Sequence, residues 1–583
     1  MVNNYLKLAF RNIRKNKVYS FINIFGLAIG LTSFILIALY IFDELTADRF
    51  HKHADNIYRV IEQKTSAEGK ESKVASVAYN VSAQAKSVLP ELEMTTRFGM
   101  LGRVNIANEV NTNVFYESFY VADAPFLQVF DFKLLEGDRL TALKDPRSVI
   151  VTEETAKKFF GSTSVLGQSL SMEGDSLPYK ITGVMQDIPV NSHIQFNVLF
   201  SESSLSPAFF ESMNKDWSSN NFVTYYLLKE GTNLNNATAK LNQLVASHRE
   251  ASKPGKSNFY LQSLKDIHFY SEGIEGNFGG GNITYIYVFS ILALFVLVIA
   301  CINYINLTTA RFSNRAKEIA VRKVAGAFKK QLVSQFLSEA FLVTLISFGI
   351  AFISVKLLLP SFNTFVEKEL SLGVETDYRI WISLAFIILL VTLLSGIYPA
   401  FFQSRLKPIA LLKTKLETGK NSLSIRKALV VFQFTLSIVM IVATIVVYMQ
   451  LKYINTKNLG FNKEQLVIVD INSGAVRRGA ETIKQEYGKL ASVKDVTVTS
   501  RVPGEWKVLP KVKVTTADKS TGGNDMYFIG ADDRFLSAFQ VQLIKGRNFN
   551  PSPSDSASVL LNETAALQLG ITEPSEQLVT IPS

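Results

Sequence analysis

Cysteine and histidine are scarce in this chain of 583 residues. The single cysteine, Cys301, excludes an intrachain disulfide, so the folded domains must be held by packing alone. Five histidines are present, and no matching cluster of cysteine, histidine or carboxylate supports a metal site at the closest pair, His51 and His53. We therefore predict no metal and no cofactor, and a solvated segment around these two histidines.

A phosphate-binding loop is also missing. The nearest approach to the pattern G-x-x-x-x-G-K-[ST] is Gly255-Lys256-Ser257, but position 250 is a glutamate. Without the backbone amides and the lysine that cradle phosphates, the chain is not expected to hydrolyse ATP. No Ser/His/Asp group or carboxylate pair rises above chance, so we predict no catalytic residue and no enzyme activity in this chain.

Charge is missing from long parts of the sequence. A bilayer core of ~30 Å needs about 20 apolar helical residues, and five stretches are long enough to cross it. Four are uncharged, and the third, 331–359, carries Glu339 near one end and Lys356 near the other. The four uncharged stretches are 18–42, 276–310, 380–404 and 428–451.

The net charge of +11 is concentrated beside these stretches, which indicates an oriented membrane protein rather than a nucleic-acid binder. The N-terminus and the loops 311–330 and 405–427 are basic, whereas the loop 360–379 is acidic. The positive-inside rule places the three basic segments in the cytoplasm and the acidic loop outside. Five alternating spans satisfy this arrangement, with the N-terminus in the cytoplasm.

Residues 5–17 resemble an amphipathic helix that would lie along the inner leaflet. The alternative is an ordinary basic anchor before a span. The apolar face would be formed by Leu6, Ala9, Phe10 and Ile13, and the opposite face by Lys7, Arg11, Arg14 and Lys15.

These observations predict an ordered series of segments. The expected boundaries are a cytoplasmic amphipathic helix 1–17, span 18–42, extracytoplasmic domain 43–282, span 283–310, cytoplasmic segment 311–334, span 335–359, outer loop 360–379, span 380–404, cytoplasmic loop 405–427, span 428–451 and an incomplete second extracytoplasmic domain 452–583.

An internal repeat relates the two domains. The first domain contains, in order, Phe126-Leu127-x-x-Phe130, Leu135-x-Gly137 and 148–153 (SVIVTE). The second contains, in the same order, Phe535-Leu536-x-x-Phe539, Ile544-x-Gly546 and 558–563 (SVLLNE). The glycines are 409 positions apart (546 − 137) and the serines 410 (558 − 148). The chain is thus interpreted as a duplicated unit of span, outer domain and three spans, with the second copy incomplete. We expect a longer intact protein, with about 240 further residues and three more spans.

Within the first domain, four β-rich runs and two helical patterns predict a mixed α+β fold. The runs are 58–61, 148–152, 179–184 and 222–228, and the helices are 153–160, ended by Gly161, and 235–249. The fold class is therefore an α-helical transmembrane protein with mixed α+β extracytoplasmic domains. In the first span, Gly26-x-x-x-Gly30 permits close helix packing, either within one chain or between chains.

Four segments resemble the FtsX-like permease family in its MacB-like, double-unit form. They are 8–17 (LAFRNIRKNK), 148–161 with the later Gly183-Val184, 315–327 (RAKEIAVRKVAGA), and Tyr398-Pro399-Ala400 with 405–408 (RLKP). Their order, spacing and topology together are specific, although no single piece is decisive. The resemblance covers essentially the whole chain.

The resemblance implies the permease subunit of an ABC transporter in a bacterial inner membrane. A partner ATPase dimer would bind the cytoplasmic loops and drive movement of the outer domains, for export of a drug, peptide or lipoprotein. Further partners would be a periplasmic adaptor, an outer-membrane factor and membrane lipids, with no nucleic acid. The alternative is a signalling module that moves no substrate.

The segment 315–327 is the predicted site of ATPase coupling. Glu318 and Arg322 are four residues apart and could pair on one helix face. Gly326 would break the helix or allow close approach of another backbone. The alternative is a basic loop that only sets topology. The predicted coupling residues are Arg315, Lys317, Glu318, Ile319, Arg322, Lys323 and Gly326.

Overall fold

The structure is a computed structural model with two compact units. It describes the chain apart from residues 1, 66–68, 70, 109–113, 250–255, 277–279, 311–318, 374–377, 406–419, 504–508, 517–523, 552–554, 556, 572, 574–577 and 582–583. The larger unit comprises Met1–Gly102 and Ile106–Ile445, and the smaller comprises Arg103–Asn105 and Val446–Ser583.

Five helices of the described chain are long and apolar enough to cross a membrane. A shorter helix, Val2–Lys15, precedes the first of them, and the two are separated at Asn16. The five spans are Lys17–Leu45, Ile283–Ala310, Lys329–Val366, Tyr378–Arg405 and Lys420–Thr456. They are longer than the uncharged stretches because helical backbone continues through charged ends that can reach the membrane interface.

The first four spans share an apolar core. Leu27 and Leu31 of the first span are fully buried, and they belong to one cluster with Leu297 of the second, Ala351 of the third and Val391 of the fourth. The fifth span has none of its apolar window buried. Four spans therefore form the packed bundle of the larger unit.

The domain between the first two spans, residues 46–282, is called the inter-span domain. Its described strands join one mixed sheet in the order β13-β2-β1-β11-β4-β5-β10-β7-β9-β6, with β12, β3 and β8 paired alongside. The strands are β1 Ile57–Thr65, β2 Glu71–Val74, β3 Ser76–Val77, β4 Leu92–Asn108, β5 Val114–Ala122, β6 Leu134–Gly137, β7 Ser148–Thr152, β8 Ser169–Met172, β9 Tyr179–Met185, β10 Val198–Ser201, β11 Phe222–Leu228, β12 Lys256–Ser263 and β13 Ile274–Glu275. The helices are Tyr79–Ala83, Ala85–Val88, Phe126–Val129, Glu153–Phe160, Pro207–Lys215, Leu234–His248 and Leu264–Ile267, with a 3₁₀ turn at Glu202–Ser204.

Two apolar cores hold this domain, which carries no disulfide among its described residues. One is rich in phenylalanine, with Phe98, Phe126 and Phe196 in ring contact. The other places the helix Leu234–His248 over β1 and β12. Since burial of one large apolar side chain stabilises by about 1.5–3 kcal/mol, these clusters can replace covalent cross-links. The prediction of a membrane protein with a mixed α and β domain is confirmed.

A short, buried connection joins the first span to the inter-span domain. Asp48 is fully buried with a φ of +57°, and its Oδ2 lies 2.9 Å from Nδ1 of His193. Its Oδ1 accepts from the Ser192 hydroxyl at 3.0 Å. His193 Nε2 in turn lies 2.8 Å from the Tyr225 hydroxyl in the middle of β11. The expectation of a solvated segment here is wrong for His51, which is 2% exposed, because it packs among the phenylalanines of the domain core.

The smaller unit repeats part of this plan. Glu563–Leu569 is a helix capped by the Asn562 side chain and ended by a left-handed Gly570, as Glu153–Phe160 is capped by Thr152 and ended by Gly161. Other elements are Gly474–Arg478, Ala480–Gly488, Phe535–Phe539 and a three-stranded sheet of β14 Lys511–Thr516, β15 Asn524–Tyr527 and β16 Val579–Thr580.

Residues 558–562, which match β7 in the repeat, form no strand. Their counterpart β7 pairs with β9 and β10.

Candidate coupling site

Residues 319–328 lead into the third span. Residues 319–324 are helical, and the chain then reverses at Gly326, whose φ of +93° is a left-handed conformation that a side chain would strain. The amide of Phe328 donates to the Gln331 side chain at 3.0 Å, which caps the start of the third span. The 319–328 segment is therefore a short helix followed by a fixed turn.

One side of the 319–328 segment is buried against the membrane helices. Ile319 is 4% exposed and Ala320 fully buried. They share a cluster with Leu332 and Phe336 of the third span and Ala400 of the fourth. This contact ties the segment to two spans at once.

The cations of the segment are also directed at these helices. Arg322 Nη1 donates to Gln335 Oε1 in the third span at 2.6 Å, and Lys323 Nζ donates to the carbonyl of Ser404 in the fourth at 2.7 Å. Burial, with a smaller effect of nearby Lys329, lowers the pKa of Lys323. A displacement of the segment would therefore pull on the ends of both spans.

The other side of the 319–328 segment is apolar and exposed. Val321, Val324 and Phe328 are 61%, 69% and 74% exposed. Single exposed apolar residues are common on any surface, but here three fall within eight residues of sequence. We call Val321, Val324 and Phe328 the outer patch.

Of the predicted coupling residues, Arg315, Lys317 and Glu318 lie outside the described residues. Of the remaining four, Ile319 is a buried anchor, Gly326 forms the turn, and Arg322 and Lys323 bind the spans. Sequence reasoning missed Gln335 and Ser404 as the partners of these two cations. A polar Gln335 close to the start of an apolar helix was the available signal.

A small cavity of about 40 Å³ opens beside this region of the third span. Asn12, from the N-terminal helix, donates its side-chain amide to Oε1 of Glu339. Tyr19 and Thr308, also lining the cavity, are hydrogen-bonded at 3.0 Å. Glu339, expected at the membrane edge, thus accepts a hydrogen bond that fastens the N-terminal helix to the third span.

The two glycines of the first span face the second span of the same chain. A Cβ at Gly30 would lie 2.4 Å from the Cβ of Ala300, and one at Gly26 would lie 3.1 Å from the side chain of Asn303. Both values are at or below the closest ordinary approach of such atoms, so the absence of side chains lets the helices come together.

No group of three or more histidine, cysteine, aspartate or glutamate side chains suited to a metal occurs in the part of the chain that the structure describes. His51 Nδ1 accepts from the Asp131 amide at 2.9 Å, whereas His53 lies at the surface. Cys301 is buried in the second span.

Two family models match this chain. The model described as MacB-like periplasmic core domain matches residues 20–244, and that described as FtsX-like permease C-terminal matches residues 290–408. The second match contains the 319–328 segment and both spans that it contacts.

Similar proteins are found among curated sequences and solved structures. The macrolide export ATP-binding/permease protein MacB of Mannheimia succiniciproducens is 26% identical over 301 residues, which cover 49% of this chain and 42% of that protein. The uncharacterized ABC transporter permease YvrN of Bacillus subtilis is 21% identical over 373 residues, 60% of this chain and 87% of that protein. The match to the crystal structure of the periplasmic region of MacB from Actinobacillus actinomycetemcomitans covers 36% of this chain and 90% of that structure. The identity is 16% and the TM-score is 0.27. The chain thus spans less than half the length of the MacB relative.

Proposed function

Since the chain is an FtsX/MacB-like ABC transporter permease, we propose that it couples ATP hydrolysis by a separate ATPase subunit to movement of its inter-span domain. This movement drives the export of a drug, peptide or lipoprotein. In the named MacB relatives the ATP-binding and permease functions belong to one protein. This chain supplies the permease part.

The observation that carries this proposal is the two-sided 319–328 segment. On one side Ile319, Arg322 and Lys323 bind the third and fourth spans. On the other side the outer patch is free to be covered by a partner subunit. A subunit seated on the outer patch would move both spans through contacts that already exist.

The distribution of charge sets the orientation of the proposal. The basic N-terminus, the basic loop before the third span and the basic loop after the fourth span lie on the cytoplasmic side of a bacterial inner membrane. An ATPase on that side has access to ATP. The inter-span domain and residues 452–583 then lie outside. An adaptor and an outer-membrane factor that receive the substrate would contact these outer domains.

The decisive experiment is a pull-down of the partner ABC ATPase, using full-length protein at matched membrane levels. The test variants are Val324→Asp and Phe328→Asp. Both side chains are exposed, so the free energy of unfolding should change by no more than about 0.5 kcal/mol. A charge buried in an interface without a partner costs about 2 kcal/mol or more, which is roughly a 30-fold loss of binding.

Leu567→Asp provides the matched control, because Leu567 is an equally exposed apolar residue, at 73%, in the smaller unit. It should retain the ATPase. Equal retention by all three variants would mean that the ATPase does not bind the outer patch. Loss of binding with the control as well would indicate a general effect of added charge.

A further inference from the structure

A group of charged side chains joins the first span to the loop after the third span. The Lys368 ammonium lies 2.5 Å from Asp43 Oδ2 and 2.6 Å from Glu44 Oε1. Asp43 and Glu44 occupy the last turn of the first span, and Lys368 follows the helix that ends at Val366. One ammonium therefore bridges two helices that are more than three hundred residues apart in sequence.

The second oxygen of Glu44 extends this group into the inter-span domain. Glu44 Oε2 lies 2.7 Å from Nε2 of His268, which follows the helix Leu264–Ile267. The carbonyl of His268 accepts from the Gly281 amide at 2.6 Å, just before the second span begins at Ile283. Both connections of the inter-span domain to the membrane thus meet at Glu44.

Gly281 keeps the space that this arrangement needs. A Cβ at that position would lie 2.5 Å from His268 Nε2 and 2.9 Å from Glu44 Oε2. Both atoms are polar members of the group, so a side chain at position 281 would separate the imidazole from the carboxylate.

The group is largely shielded from water. The side chains of Glu44, Lys368 and His268 are 9%, 13% and 17% exposed, and the ammonium lies 5.2 Å from the centre of the Tyr40 ring. Burial alone would lower the pKa of Lys368, but its hydrogen bonds to Asp43 and Glu44 outweigh that effect and raise it. Removing the ammonium would leave two carboxylates close together in a poorly hydrated place.

The position of Lys368 is fixed from its own side. Glu367 ends the third span in a left-handed conformation with φ of +53°, and the Lys368 amide donates to the Asn363 carbonyl at 3.1 Å. The Asn363 side chain donates to the carbonyl of the buried Leu370 at 2.9 Å. The loop therefore presents Lys368 to the first span as part of the third-span end.

We propose that Asp43, Glu44, His268 and Lys368 form a clasp that sets the position of the inter-span domain relative to the third span. The first span and the domain already move together because Asp48 is locked in the domain core by His193 and Ser192. The clasp is the polar contact between this body and the third-span end. An ion pair at the membrane surface can open and re-form without exposing apolar area, as repeated movement requires.

The inference deepens the proposed function, since it names the joint through which movement of the third span reaches the domain. Glu44 and Lys368 are positioning residues in this scheme. The clasp can be tested without the ATPase, so that failure of one idea is distinguishable from failure of the other.

The first measurement is the distance between two spin labels on the full-length chain in lipid nanodiscs. Labels are attached at Glu272→Cys in the inter-span domain and Glu369→Cys in the loop, both exposed, with Cys301→Ala to remove the native thiol. The protein with an intact clasp should give one narrow distance. Lys368→Met should abolish that narrow distance, whereas Lys368→Arg should keep it because a guanidinium can bridge both carboxylates.

Two further variants exclude trivial explanations. Lys265→Met removes an ion pair to the exposed Asp55 in the same part of the domain and should leave the distance unchanged. Glu44→Gln with Lys368→Met removes one carboxylate together with the ammonium, so the protein should fold yet still lose the narrow distance. A narrow distance in folded Lys368→Met protein would overturn the clasp.

The second measurement adds the ATPase. In the Cys301→Ala background, Glu272→Cys and Glu369→Cys leave all four clasp residues in place. Joining these two cysteines with a bis-maleimide should leave ATPase binding intact and abolish transport, which the uncrosslinked pair should retain. If the ATPase does not bind the unmodified chain, the proposed function fails while the distance result still decides the clasp. Full transport by the cross-linked protein would show that the clasp does not open.

Discussion

Replacing Gly30 with alanine should force the first and second spans apart. The new methyl carbon would lie 2.4 Å from the Cβ of Ala300, whereas ordinary contact between such atoms begins at 3.4 Å. The atom it meets belongs to a short side chain that cannot rotate away. The helices must therefore separate by about 1 Å at this crossing, since side-chain contacts in packed interiors have little free space.

The size of the effect follows from two opposing terms. Overpacking of this kind costs about 1–3 kcal/mol. Alanine favours a helix over glycine by about 1 kcal/mol, which reduces the observed loss. Gly349→Ala in the third span supplies the second term alone, because a Cβ there meets nothing within 4 Å. The difference between the two variants should thus be about 1–3 kcal/mol.

The assay is thermal unfolding of the purified full-length protein in one detergent, compared across four proteins. Gly30→Ala should unfold at a lower temperature than the wild type or Gly349→Ala. Gly30→Ala combined with Ala300→Gly returns the missing space and should recover most of the loss. Equal stability of Gly30→Ala and Gly349→Ala, or no recovery in the double variant, would refute the packing argument.

Three other predictions test orientation, coupling and pH dependence. A cysteine at Asp187 should react with an impermeant maleimide applied to intact cells and one at Lys323 should not; the reverse pattern would invert the topology. Glu318→Lys and Gly326→Leu should reduce ATPase binding without loss of membrane insertion, and wild-type binding in both would leave this loop a topological signal only. Burial lowers the pKa of His51 to about 4 from its ordinary 6.5, so its protonation opposes folding. The free energy of unfolding should therefore be highest above about pH 6.5 and should decrease as the pH falls toward 4. Thermal unfolding of the wild type should be more pH-sensitive in this window than that of His51→Gln.

Local patterns were readable in the sequence where local physics decides the structure. The helix Glu153–Phe160 was predicted to the residue because Thr152 caps its first turn and Gly161 can adopt the left-handed ending. The strands β7 and β11 were also predicted to the residue, since both are continuous apolar runs buried on both faces.

Long-range polar pairs could not be read in the same way. Glu44 and Lys368 each look like ordinary charged residues at the end of a span, and only the fold brings them to 2.6 Å. Likewise, the Arg322 guanidinium reaches Gln335 in the next helix, whereas its predicted partner Glu318 lies outside the described residues. Hydrogen bonds between elements depend on how those elements dock, which the spacing within one element does not specify.

The two copies of the repeat differ where the structure depends on residues that are remote in sequence. The capped helix at Glu563 forms in the second copy because its signals are local, whereas the strand before it does not form. A strand depends on neighbours that are remote in sequence. Pattern alone therefore predicts a helix more reliably than a strand.

The locked junction at Asp48 gives the first span the geometry of a lever arm. Its 29 residues extend for about 43 Å at 1.5 Å per residue. A tilt of about 5° at one end would carry the other end through roughly 4 Å, the scale on which packed helices shift in switching proteins. Because Asp48 is buried and bound in the domain core, the whole inter-span domain would move with the span by at least that distance, and by more at its far edge.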